Sequence, residues 1–253
     1  MVAEGDEDEA SRAFSATNGV DGVLVLHGFT GSPRSMRPLA EAFANAGFRV
    51  ELPVLPGHGT TPAELAETSY SDWVQAADEE FLALASACER VIVAGLSMGG
   101  ALACELAARH PEVAGIILVN PFVEPPAASF LALLGQALAT GQRSFPSIGS
   151  DIARAGPSGG GYDETPIAPL LSLAEALQDF AGRLGEVTCP VLLFSSRVDH
   201  VVPPSGGDFV EGHVAGPFER VFLEHSFHVA TLDEDASELE ARAVAFAQKV
   251  TAA

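Results

Sequence analysis

Basic residues are scarce in this sequence: 13 lysines and arginines stand against 34 aspartates and glutamates, a formal net charge of −21. A surface with this charge repels nucleic acids and anionic lipid headgroups, so neither is an expected partner. No apolar run approaches the roughly 18 residues that a membrane-spanning helix needs. The N-terminal stretch MVAEGDEDEA is acidic, whereas a secretory signal is basic and then apolar. We therefore expect a soluble, cytoplasmic protein.

Cysteine is also scarce. Cys88, Cys104 and Cys189 show no CxxC spacing, and each lies in or beside an apolar stretch. This placement indicates buried free thiols rather than metal ligands or a disulfide framework. A phosphate-binding loop, the histidine and cysteine spacings typical of metal sites, and the glycine fingerprint of dinucleotide-binding proteins are absent as well. The sequence predicts neither a cofactor nor a metal ion.

What is present is a pattern of strands that alternate with helices. Short apolar runs with β-branched residues at even and odd positions are typical of strands covered on both faces. This alternation predicts a single α/β domain in which helices flank a mostly parallel sheet. The predicted strands lie at 22–28, 48–54, 90–97, 114–120, 189–196 and 219–224, and the predicted helices at 35–46, 71–87, 98–109 and 234–250.

Two segments depart from this alternation. The first residues are dominated by acidic side chains and predict a solvated, flexible tail. After the strand that ends at Asn120, a long stretch with an apolar segment at 127–140 and the glycine-rich GPSGGG precedes the next strand. A connection this long in a compact domain is usually functional, so we predict a cap over the site. The predicted organisation is a tail at 1–18, a core at 19–120 and 188–253, and a cap at 121–187.

The motif G-x-S-x-G is centred on Ser97, directly after one predicted strand and directly before a predicted helix. In this context a sharp strand-to-helix turn exposes the serine hydroxyl in the cleft, and glycines at Gly95 and Gly99 avoid clashes at the bend. The helix N-terminus also presents free N–H groups and a partial positive charge to the reacting oxygen. We predict that Ser97 is the nucleophile of a serine hydrolase.

A serine hydroxyl needs a general base, and the base needs a carboxylate that orients it. In hydrolases with this turn the chain order is serine, acid, histidine. Asp199 ends the run CPVLLFSSRVD and is the predicted acid. The base is His225 or His228, which both follow the last predicted strand. Spacing does not separate the two, and proximity to the final helix favours His228.

The glycine-rich loop HGFTG, residues 27–31, follows the first clear strand. In hydrolases with the serine turn, this loop provides one N–H group of the oxyanion hole, and the residue after the nucleophile provides the other. The predicted donors are the backbone amides of Phe29 and Met98. A second loop, PGHG at 56–59, predicts a structural turn rather than a ligand site.

The motifs HGFTG, LPGHGT, SDWV, GLSMGG, VDHVVPP and HVATLD occur in this order. Together they resemble the bacterial monoacylglycerol lipases and related small carboxylesterases of the α/β-hydrolase type, over about residues 20–250. The resemblance implies the triad Ser97, Asp199 and His228, which decides the choice of histidine, and oxyanion donors at Phe29 and Met98.

The resemblance also implies how the cap contacts the substrate. Ile148 matches a cap position that shapes a polar pocket for the glycerol end, and Asn120 lies nearby as a further substrate-binding residue. One departure concerns an acidic residue that meets the glycerol hydroxyls in these lipases. Its place is taken here by Gly159, and Asp163 or Glu164 are the candidates to replace it.

On this basis we expect hydrolysis of carboxylic esters, monoacylglycerols in particular, to fatty acid and glycerol through an acyl-serine intermediate. One alternative is a general carboxylesterase or thioesterase for short or medium acyl chains. A more distant alternative is a non-catalytic hydrolase fold that binds a small ligand. The expected partner is a fatty acyl ester, with at most transient contact between the cap and lipid aggregates, and the oligomeric state is not predicted.

Overall fold

A seven-stranded sheet lies at the centre of the computed structural model, which describes residues 9–252. The strands of the described residues are β1 (Phe14–Ala16), β2 (Gly22–Leu26), β3 (Arg49–Leu52), β4 (Val91–Leu96), β5 (Val113–Val119), β6 (Ser144–Pro146), β7 (Glu164–Pro166), β8 (Val191–Ser196) and β9 (Phe218–Leu223). All of them except β6 and β7 belong to this sheet. The sheet has the order β1-β3-β2-β4-β5-β8-β9. β1 runs antiparallel to β3, and all other neighbours in this sheet are parallel. The predicted mostly parallel sheet is confirmed.

Helices cover both faces of the sheet. They are α1 (Arg37–Asn45), α2 (Pro62–Ala66), α3 (Tyr70–Ala85), α4 (Met98–Arg109), α5 (Ala128–Ala139), α6 (Ile167–Phe180), α7 (Ser205–His213) and α8 (Ala236–Thr251). Apolar side chains of α3 and α4 pack on one face, and those of α1 and α8 pack on the other. The central strands β2 and β4 are therefore buried throughout, which explains their continuous apolar sequence.

The chain between β5 and β8 forms a small unit of its own. It contains α5, a two-stranded antiparallel sheet of β6 and β7, α6, and a 3₁₀ segment at Ala181–Glu186. Leu134 and Ala137 of α5 pack against Ile167 and Ala174 of α6 in a separate apolar cluster. Within the apolar segment at 127–140, Leu134 and Ala137 are therefore packing residues, whereas Phe130 lines the cavity described below. The division into core and cap remains a prediction.

The predicted tail at 1–18 is wrong in its last part. Residues 14–16 form the edge strand β1, because Phe14 packs against the core and pairs with Leu52 of β3. The guanidinium of Arg37 lies 5.0 Å from the centre of the Phe14 ring and donates to the carbonyl oxygen of Arg12 at 2.7 Å. Residues 1–8 of the predicted tail lie outside the described part of the chain.

Several sequence expectations about elements need correction. The short helix α2 and the helices α6 and α7 were not predicted. Of the three cysteines, Cys104 is buried, whereas Cys88 and Cys189 are only partly buried, and all three thiols are free.

Across residues 9–252, no helix is both long and apolar enough to cross a membrane.

Candidate active site

Ser97 lies at a strained turn between β4 and α4. Its backbone has φ 55° and ψ −116°, a conformation that is rare for residues with a side chain. The turn requires glycine on both sides: a Cβ at Gly95 would lie 2.0 Å from the carbonyl oxygen of Gly99. A Cβ at Gly99 would lie 2.2 Å from the carbonyl oxygen of Leu26. The sequence G-x-S-x-G thus lets α4 approach the sheet closely and leaves Ser97 at the cleft.

His228 and Asp199 are brought together by the loops that follow β9 and β8. His228 Nδ1 lies 2.8 Å from Asp199 Oδ2, and both side chains are almost fully buried. The other carboxylate oxygen of Asp199 accepts the backbone N–H groups of Val201 and Val202 at 2.8 and 2.7 Å. These bonds fix the carboxylate, so Asp199 can orient the imidazole with Nε2 free.

Three carboxylates hold the loop that carries His228. Asp235 Oδ2 accepts the backbone N–H groups of residues 225 and 226, both at 2.9 Å. Asp233 Oδ2 accepts that of Phe227 at 2.8 Å, and Asp151 Oδ2 accepts that of His228 at 3.1 Å. Sequence reasoning missed these three residues, although Asp233 ends the motif HVATLD. Four consecutive amides are therefore fixed by side chains, and the loop needs no secondary structure to hold its shape.

Asn120 lies beneath the same loop rather than in a substrate pocket. Its side chain is buried and donates to the carbonyl oxygen of His228 at 2.8 Å, while its oxygen accepts the backbone N–H of Ser196 at 2.8 Å. Asn120 does not line the cavity beside Ser97. The predicted contact with substrate therefore has no support in the geometry, because both ends of the amide are used inside the protein.

The HGFTG loop passes next to Ser97. A Cβ at Gly28 would lie 3.3 Å from the Cβ of Ser97, so the absent side chain permits this approach. Thr30 has the positive φ of 58°, and its carbonyl oxygen accepts the backbone N–H of Tyr162 at 3.1 Å. The hydroxyl of Tyr162 donates to the carbonyl oxygen of Gly57 at 2.8 Å. Tyr162, from the chain between β5 and β8, thus ties two core loops together.

A cavity of about 460 Å³ opens beside Ser97. His228, Phe29 and Met98 also line it, so the predicted nucleophile, base and oxyanion donors share one space. In the described part of the chain no hydrogen bond joins Ser97 Oγ to the imidazole of His228. The walls are mostly apolar and include Phe122, Phe130, Leu170, Leu173, Val202 and Val229.

The residues predicted to shape the alcohol end of the pocket are only partly in place. Ile148 lines the cavity and is 70% exposed, which places it at the rim. Gly159 also lines the cavity, and its backbone N–H donates to Ser150 Oγ at 2.7 Å. Asp163 and Glu164 are exposed and do not line it. Among residues 9–252, no acidic side chain lines the cavity to replace the carboxylate that is absent at Gly159.

Two histidines outside the predicted triad are buried, His27 at the start of the HGFTG loop and His58 beside it, with ring centres 4.9 Å apart. The backbone N–H of Leu55 donates to His27 Nε2 at 3.2 Å, so the ring proton is on Nδ1, which donates to the carbonyl oxygen of Gly28 at 3.0 Å. Burial, reinforced by the neighbouring His58, lowers the pKa of His27 from 6.5 to about 3. Burial also lowers the pKa of His58 to about 4. Both rings are therefore neutral structural groups at physiological pH.

His225, the other candidate base, does not line the cavity beside Ser97. His225 is exposed, and its described contact is the backbone N–H bond to Asp235. Within residues 9–252, no group of three or more histidine, cysteine, aspartate or glutamate side chains is arranged to hold a metal ion. The site combines a buried histidine–carboxylate pair with a partly buried serine that lines the same cavity at a helix N-terminus, which suits acyl transfer to water.

Comparison with known proteins also finds hydrolases. Residues 22–156 match the model of the alpha/beta hydrolase fold family. The chain is 43% identical over 237 residues to the thermostable monoacylglycerol lipase of Bacillus sp. (strain H-257), covering 93% of this chain and 94% of that protein. It is 25% identical over 227 residues to the carboxylesterase of Bacillus subtilis (strain 168), covering 88% of this chain and 91% of that protein.

A solved structure is also similar. It was reported for LipS and LipT, two metagenome-derived lipolytic enzymes, and superimposes with a TM-score of 0.88 at 40% sequence identity. The match covers 95% of this chain and 98% of the other. The resemblance expected from the six motifs is therefore confirmed along almost the whole chain.

Proposed function

Because the chain belongs to the α/β-hydrolase family, we propose that it hydrolyses monoacylglycerols to fatty acid and glycerol through an acyl-enzyme formed on Ser97. Hydrolysis of carboxylic esters as a class follows from its similarity to a lipase, a carboxylesterase and a lipolytic enzyme. The observation that carries the assignment of residues is the 2.8 Å contact between His228 and Asp199 at the wall of the cavity that contains Ser97.

The proton transfers follow from this arrangement. Asp199 accepts a hydrogen bond from the Nδ1–H group of His228, so Nε2 carries the lone pair that removes the proton of Ser97 Oγ. Because Ser97 Oγ and the His228 imidazole are not hydrogen-bonded here, the distance between them must shorten when substrate binds. The serine oxygen attacks the ester carbonyl, and the imidazolium gives its proton to the departing alcohol. Water then repeats the sequence on the acyl-enzyme and releases the fatty acid.

The negative oxygen of the tetrahedral intermediate needs donors that are already in place. We assign this role to the backbone amides of Phe29 and Met98, because both residues line the cavity together with Ser97. Met98 begins α4, where the helix dipole adds partial positive charge. Single donors of this kind contribute about 3 kcal/mol to the barrier in serine hydrolases.

The apolar walls suit the acyl chain of the substrate. Phe130 and Leu170 come from the chain between β5 and β8, which we propose acts as the cap. Ile148 and Leu133 are 70% and 54% exposed on this segment, and they are the groups through which the cap would touch lipid aggregates. A cytoplasmic location belongs to the same proposal and is supported by the three free thiols.

A second candidate is a general carboxylesterase, and Gly159 favours it. With glycine at this position, none of the residues from 9 to 252 that line the cavity carries a carboxylate that could bind glycerol hydroxyls. The two candidates share the catalytic residues and differ only in the alcohol that they accept. Substrate profiles therefore separate them, whereas loss of Ser97 abolishes both activities.

The test compares 1-monolauroylglycerol with 4-nitrophenyl esters of increasing chain length. Ser97→Ala should reduce turnover of every substrate by a factor on the order of a thousand or more. Ser86→Ala, at the exposed C-terminal end of α3, is the matched control and should behave like the wild type. Normal turnover by Ser97→Ala would show that the nucleophile is wrong. Cleavage of the activated esters alone would establish the carboxylesterase.

A further inference from the structure

Asp151 lies on the long connection between β6 and β7, three residues after Ile148. Its side chain is only 10% exposed. It does not line the cavity beside Ser97, although its neighbours Ile148 and Ser150 do. Asp151 is therefore a buried carboxylate that is close to the substrate space but turned away from it.

The carboxylate joins two separate loops of the core. Asp151 Oδ1 lies 2.8 Å from His200 Nδ1, and Oδ2 accepts the backbone N–H of His200 at 3.1 Å. The same Oδ2 accepts the backbone N–H of His228 at 3.1 Å. The backbone of Asp151 adds a fourth bond, because its carbonyl oxygen accepts the N–H of Val229 at 3.0 Å. Asp151 thus bonds both His200, which follows Asp199 in the chain, and His228, the proposed base.

We propose that Asp151 is a positioning residue that holds the Asp199 loop and the His228 loop in register, so that the contact between their two side chains is kept. The proposal rests on the triad assigned above. His228 and Asp199 come from loops after different strands, β9 and β8, and their contact depends on the spacing of these loops. Asp151 bonds the backbone at both places and so sets that spacing.

The neighbouring carboxylates do not duplicate this role. The described hydrogen bonds of Asp233 run to residues 153, 154, 227 and 234. Those of Asp235 run to residues 225 and 226. Asp233 also joins the connection between β6 and β7 to the His228 loop, but none of these bonds reaches the loop that carries Asp199. Asp151 differs because it bonds His200 next to Asp199 as well as His228.

The charge of Asp151 fits its contacts. Burial opposes ionisation of the carboxyl, but hydrogen bonds from His200 and from the amide of His228 outweigh it and keep the pKa below its usual value. The residue therefore accepts hydrogen bonds as a carboxylate at neutral pH. An amide in its place would keep one oxygen for the two backbone N–H groups.

The experiment measures kcat and KM for a 4-nitrophenyl ester that the wild type cleaves. Asp151→Ala should lower kcat by roughly 10- to 100-fold, because small displacements of catalytic groups have effects of this size. KM should stay within about threefold, because the side chain is outside the cavity. Asp151→Asn should restore kcat to within about threefold of the wild type. Glu175→Ala, an exposed carboxylate on α6, is the control and should have no effect.

Each variant is measured well below its thermal unfolding midpoint, so that loss of folded protein does not count as loss of kcat. If Asp151→Ala does not fold, Asp151→Ser takes its place, since serine is too short to reach both loops and should lower kcat in the same way. An unchanged kcat, or a rise in KM alone, would overturn the proposal. So would an Asp151→Asn variant as slow as Asp151→Ala. Failure of the proposed function is distinct, because the wild type would then show no turnover that depends on Ser97.

Discussion

Asn120 donates from its side-chain amide to the backbone carbonyl oxygen of His228 at 2.8 Å. The donor follows β5 directly and has the positive φ of 43°. The acceptor belongs to a loop more than a hundred residues later in the chain. This bond ties the proposed base to the end of β5, a strand in the interior of the sheet.

Replacing Asn120 should therefore reduce activity without a direct effect on substrate binding. Asn120→Ala leaves the buried N–H of Ser196 and the carbonyl oxygen of His228 without partners, and we expect the free energy of unfolding to fall by about 2–4 kcal/mol. The value of kcat should fall at least about tenfold, with KM nearly constant. Urea unfolding and steady-state kinetics check the two effects.

Asn120→Gly separates the hydrogen bonds from the backbone conformation. Glycine adopts a positive φ without strain, so this variant should be about 1 kcal/mol more stable than Asn120→Ala. Its kcat should be just as low, because the amide is missing in both. If both variants kept the kcat of the wild type, Asn120 would have no part in holding His228.

The sequence predicts the nucleophile turn and the central strands better than the residues that hold the catalytic loops in place. Ser97 is recognisable because the close approach of α4 to the sheet imposes glycine at two fixed positions. Buried parallel strands impose continuous apolar runs, so β2 and β4 are also recognisable. The edge strand β1 is not, because a strand of three residues that pairs on one side leaves no such pattern.

The supporting residues depend on contacts that no local pattern records. Asp151 and His228 are 77 positions apart, and their bond uses a backbone N–H that every residue other than proline carries. Spacing alone left His225 and His228 undecided for a similar reason. The resemblance places Asn120 near the substrate, yet its side-chain amide donates to the carbonyl oxygen of His228 instead.

Gly99 should not tolerate any side chain. In Gly99→Ala the new Cβ would meet the backbone oxygen of Leu26 at 2.2 Å, so α4 and β2 would have to separate. We expect the free energy of unfolding to fall by more than about 3 kcal/mol, or folding to fail. Gly135→Ala is the control, because a Cβ at this position in α5 has no heavy atom within 4 Å. Gly135→Ala should stabilise the protein by about 0.5–1 kcal/mol in urea unfolding. If Gly99→Ala had the same stability as the wild type, the close packing of α4 on β2 would be contradicted.

The buried histidines should make the protein sensitive to acid. The pKa of His27 is lowered from 6.5 to about 3 and that of His58 to about 4, so below pH 6.5 the unfolded chain takes up protons that the folded chain does not. The free energy of unfolding should therefore fall as the pH drops from 6.5 towards 4. His58→Phe keeps an aromatic ring and removes one of the two groups. Its slope against pH should be smaller by up to about 1.4 kcal/mol per pH unit.

The measurement is urea unfolding at several pH values over this range. Gly135→Ala serves again as the control, because it changes stability without changing a titratable group and should shift the curve while keeping its slope. Parallel curves for His58→Phe and the wild type would show that His58 does not resist protonation in the folded protein.

Gly159 is the position at which the alcohol specificity should be adjustable. The residue lines the cavity, and a Cβ there would meet only the rotatable Ser150 Oγ at 3.1 Å and two more distant side-chain atoms. Gly159→Glu would place a carboxylate near the glycerol end of the substrate, where the resembling lipases have an acidic residue. Hydrogen bonds from two glycerol hydroxyls to a carboxylate should lower KM for 1-monolauroylglycerol roughly 5- to 20-fold. KM for 4-nitrophenyl laurate should not fall, because its leaving group has no hydroxyls to donate. Equal changes for both substrates would show that residue 159 does not face the alcohol, and the polar pocket would then have to be sought elsewhere around Ile148.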